Sequence, residues 1–213
     1  MRYYFIIYGP PASGKGYLCE RLIKGLKNEG RSTLYISTGD LIREEIKSQS
    51  DLGKEIEQIV QSGKLVSDEI VGQLLEKAIC KDADVKIIDG YPRTEPQMDH
   101  LFSLLKKENC VIAAIYRNTP IEVIKERIAK RRVCGNCKAT HSTDDGNCCP
   151  KCGGPSLIRK DDNMETLETR LAEFTANTKP LWKYLYFVCH DALEFEGSKE
   201  AEECVEYILK RFF

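Results

Sequence analysis

Residues 3–16 read YYFIIYGPPASGKG. Six bulky residues run without interruption into a loop holding two prolines, three glycines and one lysine. A short apolar run closed by Gly and Pro predicts a buried strand over 3–8. Beyond the loop, Leu18, Leu22, Ile23 and Leu26 recur at helical spacing. Strand, Gly-rich loop and helix in that order aim several backbone N–H groups at one point, where the helix N-terminus adds partial positive charge. The spacing Gly9-x4-Gly14-Lys15 is that of a phosphate cradle. Gly14 lets the backbone approach an anion, and Lys15 reaches the β and γ phosphates of a nucleotide. The amides of Ala12, Ser13, Gly14, Lys15, Gly16 and Tyr17 are the candidate donors, whereas Pro11 has no N–H. The competing reading, a plain junction with a solvated lysine, leaves the glycine spacing unexplained.

The rest of the chain continues the pattern. Strand candidates follow at 33–36, 85–89, 110–116 and 191–196. Helical patterns lie at 14–28, 38–48, 52–62, 67–81, 95–107, 120–132, 163–188 and 198–212. Short strands alternating with helices predict an α/β domain built on a parallel sheet, with ligands at the carboxyl ends of its strands. Gly9, Thr38, Asp89 and Arg117 stand near such ends. At 213 residues, 42% hydrophobic, 31% charged and net charge −1, the chain reads as an ordinary globular protein. That charge provides no global attraction to nucleic acid or an anionic membrane. Apolar runs fall well short of a membrane span, and the N-terminal run is too short for a signal-peptide core. A cytoplasmic location is the expectation.

Ten cysteines divide into two groups. Cys19, Cys80, Cys110, Cys189 and Cys204 stand singly and read as small buried side chains. Cys134, Cys137, Cys148, Cys149 and Cys152 fall within 19 residues. Cys134-x2-Cys137 and Cys149-x2-Cys152 are two knuckles that make a tetrahedral four-thiolate zinc site. With no open position, its role is structural. Cys148 breaks the matched two-residue gap and reads as a bystander. Residues 133–156 hold too few apolar side chains for a core, so metal must supply their folding energy. Zinc ribbons also bind nucleic acid, which keeps a second class of function open at this point.

Several stretches together resemble the adenylate kinases, among the nucleoside monophosphate kinases. GPPASGKG (9–16) is similar to that family's phosphate loop GxPGxGKGT. ISTGDLIRE (36–44), LGKEIEQIVQSGKLVSDE (52–69) and IIDGYPRTEPQ (87–97) resemble its acceptor-side segments. IKERIAKRRVC (124–134) and RKDDN (159–163) resemble the entry to and exit from its lid, and the cysteine pairs resemble the zinc-bearing lid. The resemblance implies a P-loop kinase fold: a parallel five-stranded sheet flanked by helices, an AMP-side helical subdomain and a zinc-ribbon-like lid. It implies a core of residues 1–36, 67–129 and 161–213, an AMP-binding subdomain at 37–66 and a lid at 130–160. The implied reaction is MgATP + AMP ⇌ 2 ADP in a monomer. Alternatives are a kinase with a GMP, UMP or CMP acceptor, and a P-loop protein whose ribbon binds nucleic acid.

Individual residues take expected roles. Asp89, ending a strand beside the loop, is a candidate Mg²⁺ anchor. Asp40 reads either as an acid in the metal's outer shell or as a helix cap. Arg43 and Arg93 are candidate bidentate phosphate binders, although either alone more often forms a surface ion pair; the resemblance implies that they clamp the acceptor's phosphate. It further implies that Thr38 and Gln97 read the adenine, with Leu65 and Val66 lining its pocket. Gly39, Gly90 and Lys199 are implied nucleotide contacts. Arg127 and Arg131, four apart, are placed on one helix face. The resemblance assigns Arg127 to the ATP adenine and phosphates, and Arg131, Arg159 and Arg170 to the phosphoryl group in flight. Arg132 and Lys160 read as solvated charges. Asp161 and Asp162 read as hinge acids that pair with the arginines. Against the family pattern, Ala12 replaces a glycine and Tyr17 a threonine, His141 stands where tyrosine is common, and the spacer between knuckles is short. Tyr17 cannot supply threonine's hydroxyl to a phosphate.

Overall fold

Arg2–Tyr8 forms β1, the middle strand of a five-stranded sheet. The structure is a computed structural model that describes every residue except Lys107, Lys138, Lys160 and Asp161. Both faces of β1 are buried, which is why its sequence is apolar without alternation. Tyr4, Ile6 and Tyr8 enter one core layer. Phe5 and Ile7 enter the other, against helix α1 (Lys15–Asn28) and the C-terminal helix α9 (Ala201–Phe212). The remaining strands are β2 (Thr33–Ser37), β3 (Val85–Asp89), β4 (Cys110–Asn118) and β8 (Asp191–Glu196). They order as β2-β3-β1-β4-β8, with every pairing parallel. The chain leaves β1 for β2 and β3 on one side and then crosses to β4 and β8 on the other, so a crevice opens at the carboxyl end of β1. Gly9 begins there.

Helices α2 (Thr38–Ser48) and α3 (Asp51–Gln61) pack on each other beside that end. Ser37 and Ser50 cap them, each hydroxyl accepting a backbone N–H. Ser67 and Thr94 likewise cap α4 (Asp68–Ile79) and α5 (Glu95–Leu105).

The lid is a separate small sheet. Strands β5 (Arg131–Cys134), β6 (Thr140–Ser142) and β7 (Ser156–Leu157) pair antiparallel in the order β6-β5-β7.

The structure corrects three readings. The helix expected over 120–132 is α6, Ile121–Lys130, and Arg131 turns to extended backbone (φ −65°, ψ 135°). Arg131 and Arg127 therefore do not share a helix face. The chain breaks there because Arg131–Val133 pairs with Thr140–Ser142, while the Arg131 guanidinium grips Asp162. The helix expected over 163–188 is broken into α7 (Met164–Glu173), a π turn (Phe174–Thr178) and α8 (Leu181–Val188). Lys179 N–H reaches back five residues to Phe174, and Pro180 has no N–H to continue the ladder. Cys80, expected to be buried, is exposed at the end of α4. Cys19 and Cys204 are buried.

Candidate active site

The loop after β1 holds its shape through close backbone contacts. A Cβ on Gly9 would lie 2.6 Å from the Arg117 carbonyl, so no other residue fits there. Ala12 adopts φ 57°, the left-handed region that a glycine occupies without strain. The loop thus keeps its geometry despite the missing glycine, at the cost of local strain. Gly14, also left-handed, leads into α1. Lys15 Nζ curls back onto the carbonyls of Gly9 (3.0 Å) and Pro10 (2.8 Å). Burial lowers its pKa to about 8; Asp89 opposes that shift, and Arg93 and Arg170 reinforce it. Four expected site residues therefore feel one another's charge. Tyr17 points elsewhere: its hydroxyl accepts from Arg21 (2.8 Å), whose guanidinium lies over the Tyr17 ring.

A cleft of about 980 Å³ opens along this loop. Gly9, Lys15, Arg159 and Arg170 line it together with Arg43, Arg93, Thr38, Gly39, Gly90, Leu65, Val66 and Gln97. Gln97 is buried and doubly held. Its Oε1 accepts from Arg93 N–H (2.8 Å), and its Nε2 donates to Asp68 (2.7 Å). One amide proton and one lone pair remain, the complement of an adenine N1 and N6 edge. Thr38 Oγ1 donates to the Gly90 carbonyl (2.9 Å), leaving its lone pairs. Arg93 is fixed by Nε to the Gly90 carbonyl (2.8 Å). Arg43 pairs with Asp40 on the next helical turn, and Ser37 rather than Asp40 caps α2.

Asp89 is buried at the end of β3 and accepts a hydrogen bond from Tyr35 (3.0 Å). Its hard oxygen ligand beside the phosphate loop fits Mg²⁺. Reasoning from sequence missed Tyr35, because nothing in the strand pattern marks which tyrosine faces an acid.

Two further arginines, Arg117 and Arg127, bond near the phosphate loop. Arg127 donates to the carbonyls of Ser13 (3.1 Å) and Gly197 (2.9 Å). Arg117, only 3% exposed, donates to Cys204 Sγ and to the carbonyls of Gly197 and Lys199. These bonds draw the 197–199 turn, and with it Lys199, against the phosphate loop. Burial, then the Arg117 charge, lowers the pKa of Arg127. Arg131 faces Asp162, whose side chain is 1% exposed. Asp162 thus pairs as expected, whereas Asp161 and Lys160 lie outside the described residues. Arg127, Arg131 and Lys199 stand off the cleft lining.

In the lid, the sulfurs of Cys134, Cys137, Cys149 and Cys152 lie within 4.8 Å of one another. Cys134 and Cys152 are 3.4 Å apart, and Cys137 and Cys149 3.6 Å. A zinc tetrahedron with Zn–S bonds of about 2.3 Å has edges of about 3.8 Å, close to both. The amides of Asn136 and Cys137 point at Cys134 Sγ, each at 3.4 Å, as they would to stabilise a thiolate. A Cβ on Gly154 would stand 2.9 Å from that sulfur, so the second knuckle closes only with glycine there. Cys148 is outside the cluster and exposed. His141 supports the sheet through Ser156 (2.7 Å).

The adenylate kinase family pattern matches residues 7–188. The chain belongs to the adenylate kinase family. Its activity is accordingly ATP:AMP phosphoryl transfer. Adenylate kinase of Thermoanaerobacter sp. (strain X514) is 33% identical over 213 residues, covering 96% of this chain and 95% of the relative. The adenylate kinase of Clostridium tetani is 35% identical, covering 95% of each. That of Desulforudis audaxviator is 36% identical over 188 residues, covering 84% of this chain and 85% of its own. The resemblance carried by the phosphate loop and lid motifs is thereby shown, and so is the P-loop kinase fold.

Proposed function

We propose that this kinase binds MgATP over the phosphate loop and AMP along the wall of Thr38, Arg43, Arg93 and Gln97, and transfers the phosphoryl group in line between them. The observation that carries the reading is one cleft lined by Lys15, Arg93, Arg159 and Arg170 together. Phosphoryl transfer asks for alignment, charge neutralisation and exclusion of water rather than covalent help. Cations converge on this cleft and no general base is needed. The loop amides and Lys15 hold the donor's phosphates, and Arg93 with Arg43 holds the acceptor's. Arg159 and Arg170 neutralise the group in flight, with Arg131 released from Asp162 as the lid closes. Arg127 and the Lys199 turn bound the donor base. Residues 37–66 and 130–160 act as flaps on a core of 1–36, 67–129 and 161–213.

Asp89 would hold Mg²⁺ through water, and the ion when bound neutralises phosphate charge. Cys134, Cys137, Cys149 and Cys152 would hold Zn²⁺, which supplies folding energy to the lid and no chemistry. A lid flanked by phosphate-binding arginines supports a closing role over nucleic-acid binding. No helix is long and apolar enough to cross a membrane. All ten cysteines are without disulfides, which suits a reducing cytoplasm.

The test is ADP formation from ATP with AMP, GMP, CMP or UMP, run beside DNA and RNA titrations. AMP should be preferred, because a site that hydrogen-bonds one base leaves buried polar groups unpaired with another. Equal kcat/KM for GMP or UMP, or nucleic-acid binding that persists in physiological salt, would sink the assignment.

A further inference from the structure

Tyr8 closes β1, one residue before the phosphate loop. Its ring is packed among Tyr116 (5.8 Å between centroids), Trp182 (6.1 Å) and Phe174 (6.2 Å). Tyr8 is 3% exposed. Its hydroxyl is buried yet has no hydrogen-bond partner among the described residues. A buried hydroxyl without a partner is destabilising, so its presence calls for an explanation. A phenylalanine would fill the same aromatic box without that cost.

The surroundings show where a partner would stand. Tyr8, Phe174, Thr178 and Arg93 line the same cleft. Thr178 ties the π turn to the Arg93 carbonyl (3.0 Å). That turn places both Phe174 and Thr178 on the cleft wall, and such turns recur at functional sites. The Arg93 guanidinium is close enough for its charge to act on the Tyr8 hydroxyl, although burial dominates and keeps the phenol protonated. The group is therefore a hydrogen-bond donor, rigidly held in a cleft that Arg93 also lines. An oxyanion on Arg93 is the ligand that such a donor suits.

We propose that the Tyr8 hydroxyl donates a hydrogen bond to the acceptor's phosphate held by Arg93, making Tyr8 a further substrate-binding residue of this kinase. The proposal rests on the reading of Arg93 as the acceptor clamp. It explains why a strand that needs only apolar bulk ends in a tyrosine with an unused hydroxyl. No bond is made or broken by Tyr8; it adds one neutral donor that orients the phosphate against the transfer line.

The experiment compares Tyr8→Phe, Arg93→Ala and the parent. AMP and adenosine, which differ by the phosphate, are titrated into each, and each is melted without nucleotide. Tyr8→Phe should weaken AMP binding by roughly tenfold or more, the weight of a hydrogen bond to a charged group. It should leave adenosine binding unchanged and melt no lower than the parent. Unchanged AMP affinity in Tyr8→Phe, with a large loss in Arg93→Ala, would overturn the proposal and leave the clamp standing. Unchanged AMP affinity in both variants would overturn the clamp and the proposal with it. Equal losses for AMP and adenosine with a lowered melting temperature would mark the hydroxyl as structural, and the proposal would fall.

Discussion

Lys15 carries the charge that phosphate binding needs, and its surroundings set the pH range over which it keeps that charge. Its folded pKa of about 8 lies below the ordinary 10.5. Below about pH 8 the ammonium is charged in both states, and the folded state bears the cost of burying it. That cost is relieved as pH rises from about 8 to 10.5, so this group makes the nucleotide-free protein relatively more stable across the window. Phosphate binding moves the opposite way, since it needs the cation. The Kd for ATP should rise above pH 8, by up to about tenfold per unit, and Lys15→Arg should flatten that rise. Lys15→Ala should lower kcat by a factor worth about 3–4 kcal/mol without unfolding the chain. An ATP affinity independent of pH between 7 and 10 in the parent would remove Lys15 from the phosphate site. The loop and its lysine were legible in the sequence because their spacing is local. The depressed pKa was not, because it comes first from burial in the folded loop and then from the charges of Arg93 and Arg170 on distant segments.

At the scale of elements, the sheet over 131–157 is the part that a metal on its four-cysteine cluster would stabilise. That sheet has only three short strands, and its cysteines contribute two of the few buried side chains there, Cys134 and Cys149. Removing zinc should lower the melting temperature, with hydrogen-exchange protection lost first in residues 131–157. Metal analysis of two serine variants checks the ligand register. Cys148→Ser should retain one zinc per chain, and Cys149→Ser should lose it, since only Cys149 joins the other three sulfurs. The reverse result would place the second knuckle one residue earlier. The matched two-residue gaps made the ligands readable from sequence. The end of α6 was not readable that way: helical spacing runs on through Arg131, but cross-strand pairing and the buried Asp162 outweigh helix propensity.

For the molecule as a whole, every side of the cleft comes from one chain. We propose that it works as a monomer: ultracentrifugation should report a 24.2 kDa species whose specific activity is constant on dilution. The region most exposed to association is α8, where Tyr184, Tyr186, Val188 and Phe187, the last 83% exposed, face outward. Dilution-dependent activity would contradict the monomer and direct attention to that helix.

The sequence by itself determined the five strands of the main sheet, the phosphate loop, the four-cysteine cluster and the family. Each is written in contiguous residues whose spacing acts locally. Tertiary structure alone decided which charges are spent on partners and which stay available. Gln97 is braced by Asp68, and Arg117 is spent on the carbonyls of Gly197 and Lys199. It also left the Tyr8 hydroxyl without a protein partner. Such outcomes depend on burial and on residues brought together from far along the chain, because a polar group's worth is set by what surrounds it once water has been removed.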